Sequence, residues 1–226
     1  MKLYDFLESG NGYKVRLLLH QLEMPYERVE LDIVNGATRT PEFLDKNPNG
    51  RIPTLELDDG TTLFESNAIQ FYLAEGTPHL PEDKLDQARV LQWMSFEQYS
   101  HEPYIAVVRF WLHQGLEREK AEEIDERRSR GYDALAVMER HLVEHDFFVA
   151  DRYSIADIAL YAYTHVAHEG GFELGPYVAV RRWLERVASR SHATFRSRRG
   201  RGQAGGRITR ARYGSERVFS PSLVRQ

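Results

Sequence analysis

Cysteine is absent from the 226-residue chain. The protein therefore carries no structural disulfide, no thiolate nucleophile and no CxxC redox centre, and any thiol chemistry must use a thiol brought from outside. The glycine fingerprints of phosphate and dinucleotide sites are missing, as is the GxSxG elbow of serine hydrolases. His101 belongs to no metal-ligand spacing, so no metal is expected. No window approaches the roughly 18 consecutive apolar residues of a membrane span. The N-terminus has neither the basic region nor the apolar run of a secretory signal, and a cytoplasmic protein without a membrane segment is the expectation.

What the chain does have is 42% hydrophobic residues, enough core for one large domain or two ordinary ones. Its net charge of −4 is unevenly spread. Residues 193–226 hold 9 Arg, no Lys and 1 Glu, a net of +8, which leaves 21 basic and 33 acidic residues before them, a net of −12. An acidic body disfavours nucleic acid as a partner, except through the tail.

Residues 2–6 alternate as a short strand. After Ser9-Gly10-Asn11-Gly12, read as a turn, Val15, Leu18, Leu19 and Leu22 recur at helical spacing up to Met24-Pro25. Residues 26–31 supply a second strand, parallel to the first in a βαβ unit. Residues 41–46 read as a short helix, 54–57 and 61–64 as a hairpin around Asp58-Asp59-Gly60, and 66–74 as a helix. This order, complete by about residue 78, is that of a thioredoxin fold. Past a linker with Pro78, Pro81 and Asp83 the pattern turns helical: a long helix to about His113 interrupted near Pro103, a second over 124–142, a third over 155–167 capped by Ser154 and Asp157, and a last over 176–189. The expected fold class is two-domain, α/β then all-α: residues 1–78 thioredoxin-like, 86–192 a helical bundle, and 193–226 a disordered Arg/Gly/Ser-rich tail.

Three short segments carry chemistry. Ser9 and Asn11 stand at a helix N-terminus, where free N–H groups and the dipole favour an anion; they either cap the helix or, with it, stabilise a thiolate. In Arg51-Ile52-Pro53-Thr54 the proline marks a strand start, and a cis bond there would expose the Ile52 backbone to an extended peptide. Glu65-Ser66 lies between strand and helix, where Ser66 is either an N-cap or, with Glu65, holds the two charges of an amino-acid headgroup. In the helical region Tyr99, His101, Tyr104, Arg109 and Trp111 are either core and interface residues or part of a cleft.

Taken in order, Ser9-Gly10-Asn11-Gly12, Asn49-Gly50-Arg51-Ile52-Pro53, Glu65-Ser66-Asn67-Ala68-Ile69 and Ser154-Ile155-Ala156-Asp157 make residues 1–192 resemble the bacterial cytosolic glutathione S-transferases. The resemblance implies a detoxification-type transferase with glutathione as cosubstrate, activated as its thiolate by Ser9 and Asn11. Pro53 would be the family's cis proline, with Ile52 bonding the cysteinyl backbone. Glu65 and Ser66 would grip the γ-glutamyl group, and Arg39 or Arg51 the glycyl carboxylate. Tyr104 and Arg109 would face the acceptor, a small electrophile, peroxide or disulfide. Tyr4 is family-typical but lies in the first strand and reads as structural, and Ser154 with Asp157 is a folding element. A homodimer is implied as well. The lack of cysteine argues against the glutaredoxin-like and omega-type branches, and a non-catalytic glutathione-fold binding or regulatory protein is the alternative. The tail departs from the family pattern; it reads either as an RNA- or phosphate-binding run or as the read-through end of a GC-rich gene.

Overall fold

The computed structural model describes the backbone of residues 1–199 and the side chains of residues 1–190. The arginine-rich segment from Gly200 onward, to which most of the tail reading applies, lies outside the described residues. The first region follows the expected order: β1 Lys2–Asp5, α1 Gly10–Gln21, β2 Glu27–Glu30, α2 Pro41–Lys46, β3 Thr54–Glu56, β4 Thr62–Phe64 and α3 Ser66–Ala74. The sheet runs β2-β1-β3-β4. β2 is parallel to β1, β3 antiparallel to it, and the β3–β4 hairpin pairs Leu55 with Leu63. Period-2 alternation sends Leu3 and Leu55 inward, where they meet Val15, Leu18 and Leu19 of α1 and Ile69 and Leu73 of α3 in one buried cluster.

The start of α1 differs from the expected turn. Ser9-Gly10-Asn11-Gly12 is not a turn ahead of the helix but its first turn, because the Gly12 N–H donates to the Ser9 hydroxyl oxygen at 3.1 Å and makes Ser9 the N-cap. The two glycines cost helix propensity but allow close approach. A methyl group at position 10 would sit 2.3 Å from the Tyr163 ring, and one at position 12 would overlap the Asp5 carboxylate. Asp5 is fully buried, with Arg16 Nη1 3.2 Å away, and burial pushes its pKa up to about 6.

The second region is helical: α4 Lys84–Phe96, a π turn Glu97–His101, α5 Glu102–His113, α6 Ala121–Leu142, α7 Ile155–Thr164 and α8 Val178–Arg199. The interruption expected near Pro103 is this π turn, in which the Glu102 N–H reaches back to the Glu97 carbonyl. The helix ends at Gly115, whose φ of 70° a side chain rarely tolerates. α7 is buried along its whole length and is the helix around which the others pack. It stops at Thr164 rather than continuing to Ala167, since the Thr164 hydroxyl and the His165 ring bond the Leu160 and Tyr161 carbonyls, and residues Ala167–Gly170 form a 3-10 turn instead. α8 continues to Arg199, past the end expected at Ser189. Among the described residues no helix is long and apolar enough to cross a membrane.

Candidate active site

The N-terminus of α1 points at the junction of the two regions. Accepting from Gly12 leaves the hydroxyl hydrogen of Ser9 available to a ligand, so capping and donation are compatible in one side chain. The helix N–H groups are another matter. That of Asn11 donates to the Tyr163 hydroxyl oxygen at 3.1 Å and that of Gly12 to Ser9, so this helix end acts on a ligand through its dipole more than through these donors.

Asn11 is the hub of the site. Its Oδ1 accepts from the Ser66 hydroxyl at 3.4 Å, and its Nδ2 donates to Glu102 Oε1 at the same distance. One carboxamide thereby ties α1 to α3 and to the start of α5. Ser66 is buried and is the first residue of α3 rather than its cap; the capping position belongs to Glu65, held at φ 67° and ψ 111°. A non-glycine residue in that region is strained by about 1–3 kcal/mol and is kept there by its surroundings. Asn49 contributes, donating from Nδ2 to Glu65 Oε1 at 3.3 Å.

The loop before β3 carries the cis Ile52–Pro53 bond. Asn47 staples it: its Nδ2 donates to the Arg51 carbonyl at 2.7 Å and to the Thr54 hydroxyl oxygen at 3.1 Å, while its Oδ1 accepts from the Asn49 N–H at 3.0 Å. Arg39 donates to the Asn49 carbonyl at 3.2 Å, which puts a cation beside the same loop, and Arg51 is exposed on it. Tyr4 of β1 donates its hydroxyl to Glu56, which also holds Lys46.

On the helical side the expected pair separates. Arg109 donates to the Glu8 carbonyl at 3.1 Å and pairs with Glu169 at 2.5 Å, so it stands against the turn that presents Ser9. Tyr104 instead meets Arg130 of α6. Helix phase explains it: Glu102 and Arg109 are seven residues apart and share a face, whereas Tyr104 is turned about 200° from Glu102. Tyr99 is 82% exposed, and Trp111 and His101 are buried. His101 donates from Nε2 to the Thr164 hydroxyl oxygen, and burial, with Lys14 nearby, lowers its pKa to about 3, so the ring is neutral.

Two residues of this cluster escape a reading of the sequence. Tyr163, buried and raised in pKa by that burial, receives the Asn11 N–H. Glu102 receives the Asn11 side chain, and burial first, then the Glu97 carboxylate, raise its pKa. The i, i+7 spacing of Glu102 and Arg109 was the available signal.

A thioredoxin-type sheet with a stapled cis-proline loop, a buried serine at the start of one helix and a serine cap at the start of α1, joined to an all-helical region, defines a class of peptide-thiol-using enzymes. Comparison with known proteins agrees. Residues 1–75 match the glutathione S-transferase N-terminal domain and residues 93–191 its C-terminal domain. A glutathione S-transferase structure from Pseudomonas fluorescens is 54% identical, with a TM-score of 0.82 covering 83% of this chain and 94% of that one. The disulfide-bond oxidoreductase YfcG of Escherichia coli is 31% identical over 95% of this chain and 98% of its own, and the maleylacetoacetate isomerase of Pseudomonas aeruginosa 29% over 87% and 94%. The chain belongs to the glutathione S-transferase family. It is an enzyme of that type with glutathione as its cosubstrate.

Proposed function

We propose that the protein binds glutathione along the Arg51–Pro53 loop and the start of α3, and activates its thiol between Ser9 and Asn11. The observation that carries this is the joint placement of the Asn11 carboxamide and the buried Ser66, with Ser9 two residues before Asn11 on the same helix end. The residues suit a zwitterionic peptide. Glu65 accepts from an ammonium, the Ser66 backbone N–H at the start of α3 donates to a carboxylate, the Ile52 backbone pairs with the cysteinyl unit, and Arg39 and Arg51 supply cations for the glycyl end.

A thiol of pKa about 9 brought to about 6–7 needs roughly 3–4 kcal/mol of preference for the thiolate. Two side-chain donors to an anion and a helix dipole supply that order of energy. The thiol proton leaves to solvent, and the sulfur pair attacks an electrophilic carbon or one sulfur of a disulfide, whose leaving group departs with the bonding electrons. The full-length likeness to a disulfide-bond oxidoreductase supports a disulfide among the acceptors. Arg109, held by Glu169 against the Ser9 turn, bounds the acceptor side.

The thiolate absorbance of glutathione, titrated on the protein, tests this. Saturable binding is expected, with a bound-thiol pKa near 6–7 that rises by about 1–2 units in Asn11→Ala and in Ser9→Ala, the stronger effect marking the main donor. Binding with an unchanged thiol pKa would discard thiol activation.

The protein also acts, in our reading, as a homodimer. Phe64, Tyr72, Leu91 and Tyr99 are large side chains exposed on β4, α3, α4 and the π turn, Tyr72 by 50% and Tyr99 by 82%, and they suit a second copy better than water. Sedimentation at micromolar concentration should give a dimer, and Tyr99→Asp should shift it toward monomer; a wild-type monomer would refute the assignment.

A further inference from the structure

We propose that Glu102 is a positioning residue for thiol activation: its carboxylate dictates which end of the Asn11 carboxamide is a donor at the site. The proposal rests on the reading of Asn11 as a thiol donor and adds what orients it.

A carboxamide has two ends of similar shape and opposite function, so something must choose between them. The Asn11 amide touches two side chains, Ser66 through Oδ1 and Glu102 through Nδ2, each at 3.4 Å. A serine hydroxyl both donates and accepts, and would satisfy either orientation. An ionised carboxylate only accepts. Of the two contacts, Glu102 alone makes the flipped amide unfavourable, since flipping would set a carbonyl oxygen against a carboxylate in a partly buried site. With one Nδ2 hydrogen on Glu102, the other remains for a thiolate.

The surroundings keep Glu102 in place and set its charge. The π turn ends directly before it, Pro103 follows it, and Arg127 of α6 holds the Pro103 carbonyl at 2.7 Å. Glu97 of the π turn disfavours its ionised form, while Lys14 of α1 and Arg51 of the loop before β3 favour it, and Tyr163 of α7 lies within the same field. The raised pKa implies an acid limit. A protonated carboxyl can donate as well as accept, and the amide then loses its direction.

A carboxylate near a thiolate also repels it through space, and this acts whether or not residue 11 is an amide. A double-mutant cycle separates the two effects. In the full chain, Glu102→Gln should raise the pKa of the bound glutathione thiol by about 1 unit, a roughly two- to fivefold loss of thiolate at neutral pH, with glutathione affinity within about twofold of wild type. In the Asn11→Ala background the same exchange should leave that pKa unchanged or lower it, as repulsion disappears. Glu102→Asp, which keeps an accept-only group, should restore part of the loss.

Equal shifts in both backgrounds, or no rise in Glu102→Gln, would overturn the proposal. Loss of glutathione binding in Glu102→Gln would also overturn it, in favour of direct contact with the peptide. If Asn11→Ala alone leaves the thiol pKa unmoved, the Asn11 assignment fails first and takes this one with it. A wild-type effect of Asn11 with a silent Glu102 removes only the present step.

Discussion

Exchanging Lys14 for methionine should cost about 3–5 kcal/mol of stability, although the residue sits on a helix and the new side chain is apolar and of similar length. Lys14 of α1 and Glu97 of the π turn are both wholly buried, and Nζ lies 2.8 Å from Glu97 Oε2. The same oxygen accepts from Gln98 at 2.8 Å, while Glu97 Oε1 is buried with no hydrogen-bond partner. Removing the cation strands a carboxylate that is already incompletely satisfied, and desolvating an unpaired charge is among the largest single penalties available to a fold. At roughly 2–4 °C per kcal/mol for a chain of this size, the melting temperature should fall by about 10 °C or more. The double variant Lys14→Met/Glu97→Leu is the informative control. With both charges gone the penalty has no source, and most of the stability should return, because a buried pair replaced by packed apolar groups is often neutral or better. A single variant within about 1 kcal/mol of wild type would show that the pair carries no such weight.

That pair also marks the boundary of what one sequence reveals. The strands, the βαβ unit and the hairpin are legible because they depend on short-range patterns: alternation over residues 2–6, helical spacing through Val15, Leu18 and Leu19, and turn chemistry at Asp58-Asp59-Gly60. The start of α1 is not, because Gly10 and Gly12 argue locally for a turn. Tyr163, 152 residues from the Asn11 whose N–H it receives, and Asp5 beneath the helix are what need them small. Tertiary contact overrides propensity there.

The candidate site divides along the same line. Ser9, Asn11, Arg51, Ile52, Pro53, Glu65 and Ser66 are visible as ordered motifs at the ends of elements, where backbone groups become available to a ligand. Glu102 looks like an ordinary glutamate on a solvated helix turn. Its partner is 91 residues away, and only the π turn aims it inward. Pro103 announces that the helix is interrupted, but the same signal fits a kink, a break or a π turn, and these place residue 102 on different faces. Tyr104 carries an aromatic ring close in sequence to Arg109, but helix phase sends it to Arg130. Arg109 has the phase of Glu102 and reaches the Ser9 turn.

Asp157→Ala should be the most damaging single exchange in the helical region, costing upwards of about 4 kcal/mol and far more than Ser154→Ala at about 1 kcal/mol. The two residues look like equal halves of a capping box, and the box is formed: the Ser154 hydroxyl oxygen accepts from the Ala156 N–H, and Asp157 accepts from the Ser154 N–H at 2.9 Å. Asp157 does more than cap. It also accepts from the Ser154 hydroxyl at 3.2 Å, the Phe148 N–H at 3.3 Å and the indole Nε1 of Trp183 at 2.9 Å. Trp183 is fully buried on α8, so one carboxylate joins the start of α7, the segment before it and the last helix. Truncating it orphans several donors in a dry interior at roughly 1–3 kcal/mol each, whereas truncating Ser154 leaves every donor to Asp157 but one. Asp157→Asn should fall between them, since its amide oxygen still accepts while its NH2 group meets donors. Urea unfolding midpoints of the three variants, read by tryptophan fluorescence, should rank Ser154→Ala above Asp157→Asn above Asp157→Ala. Equal midpoints for Ser154→Ala and Asp157→Ala would reduce the motif to a helix cap, and the docking of α8 would have to be sought in Val180, Trp183 and Val187 packing alone.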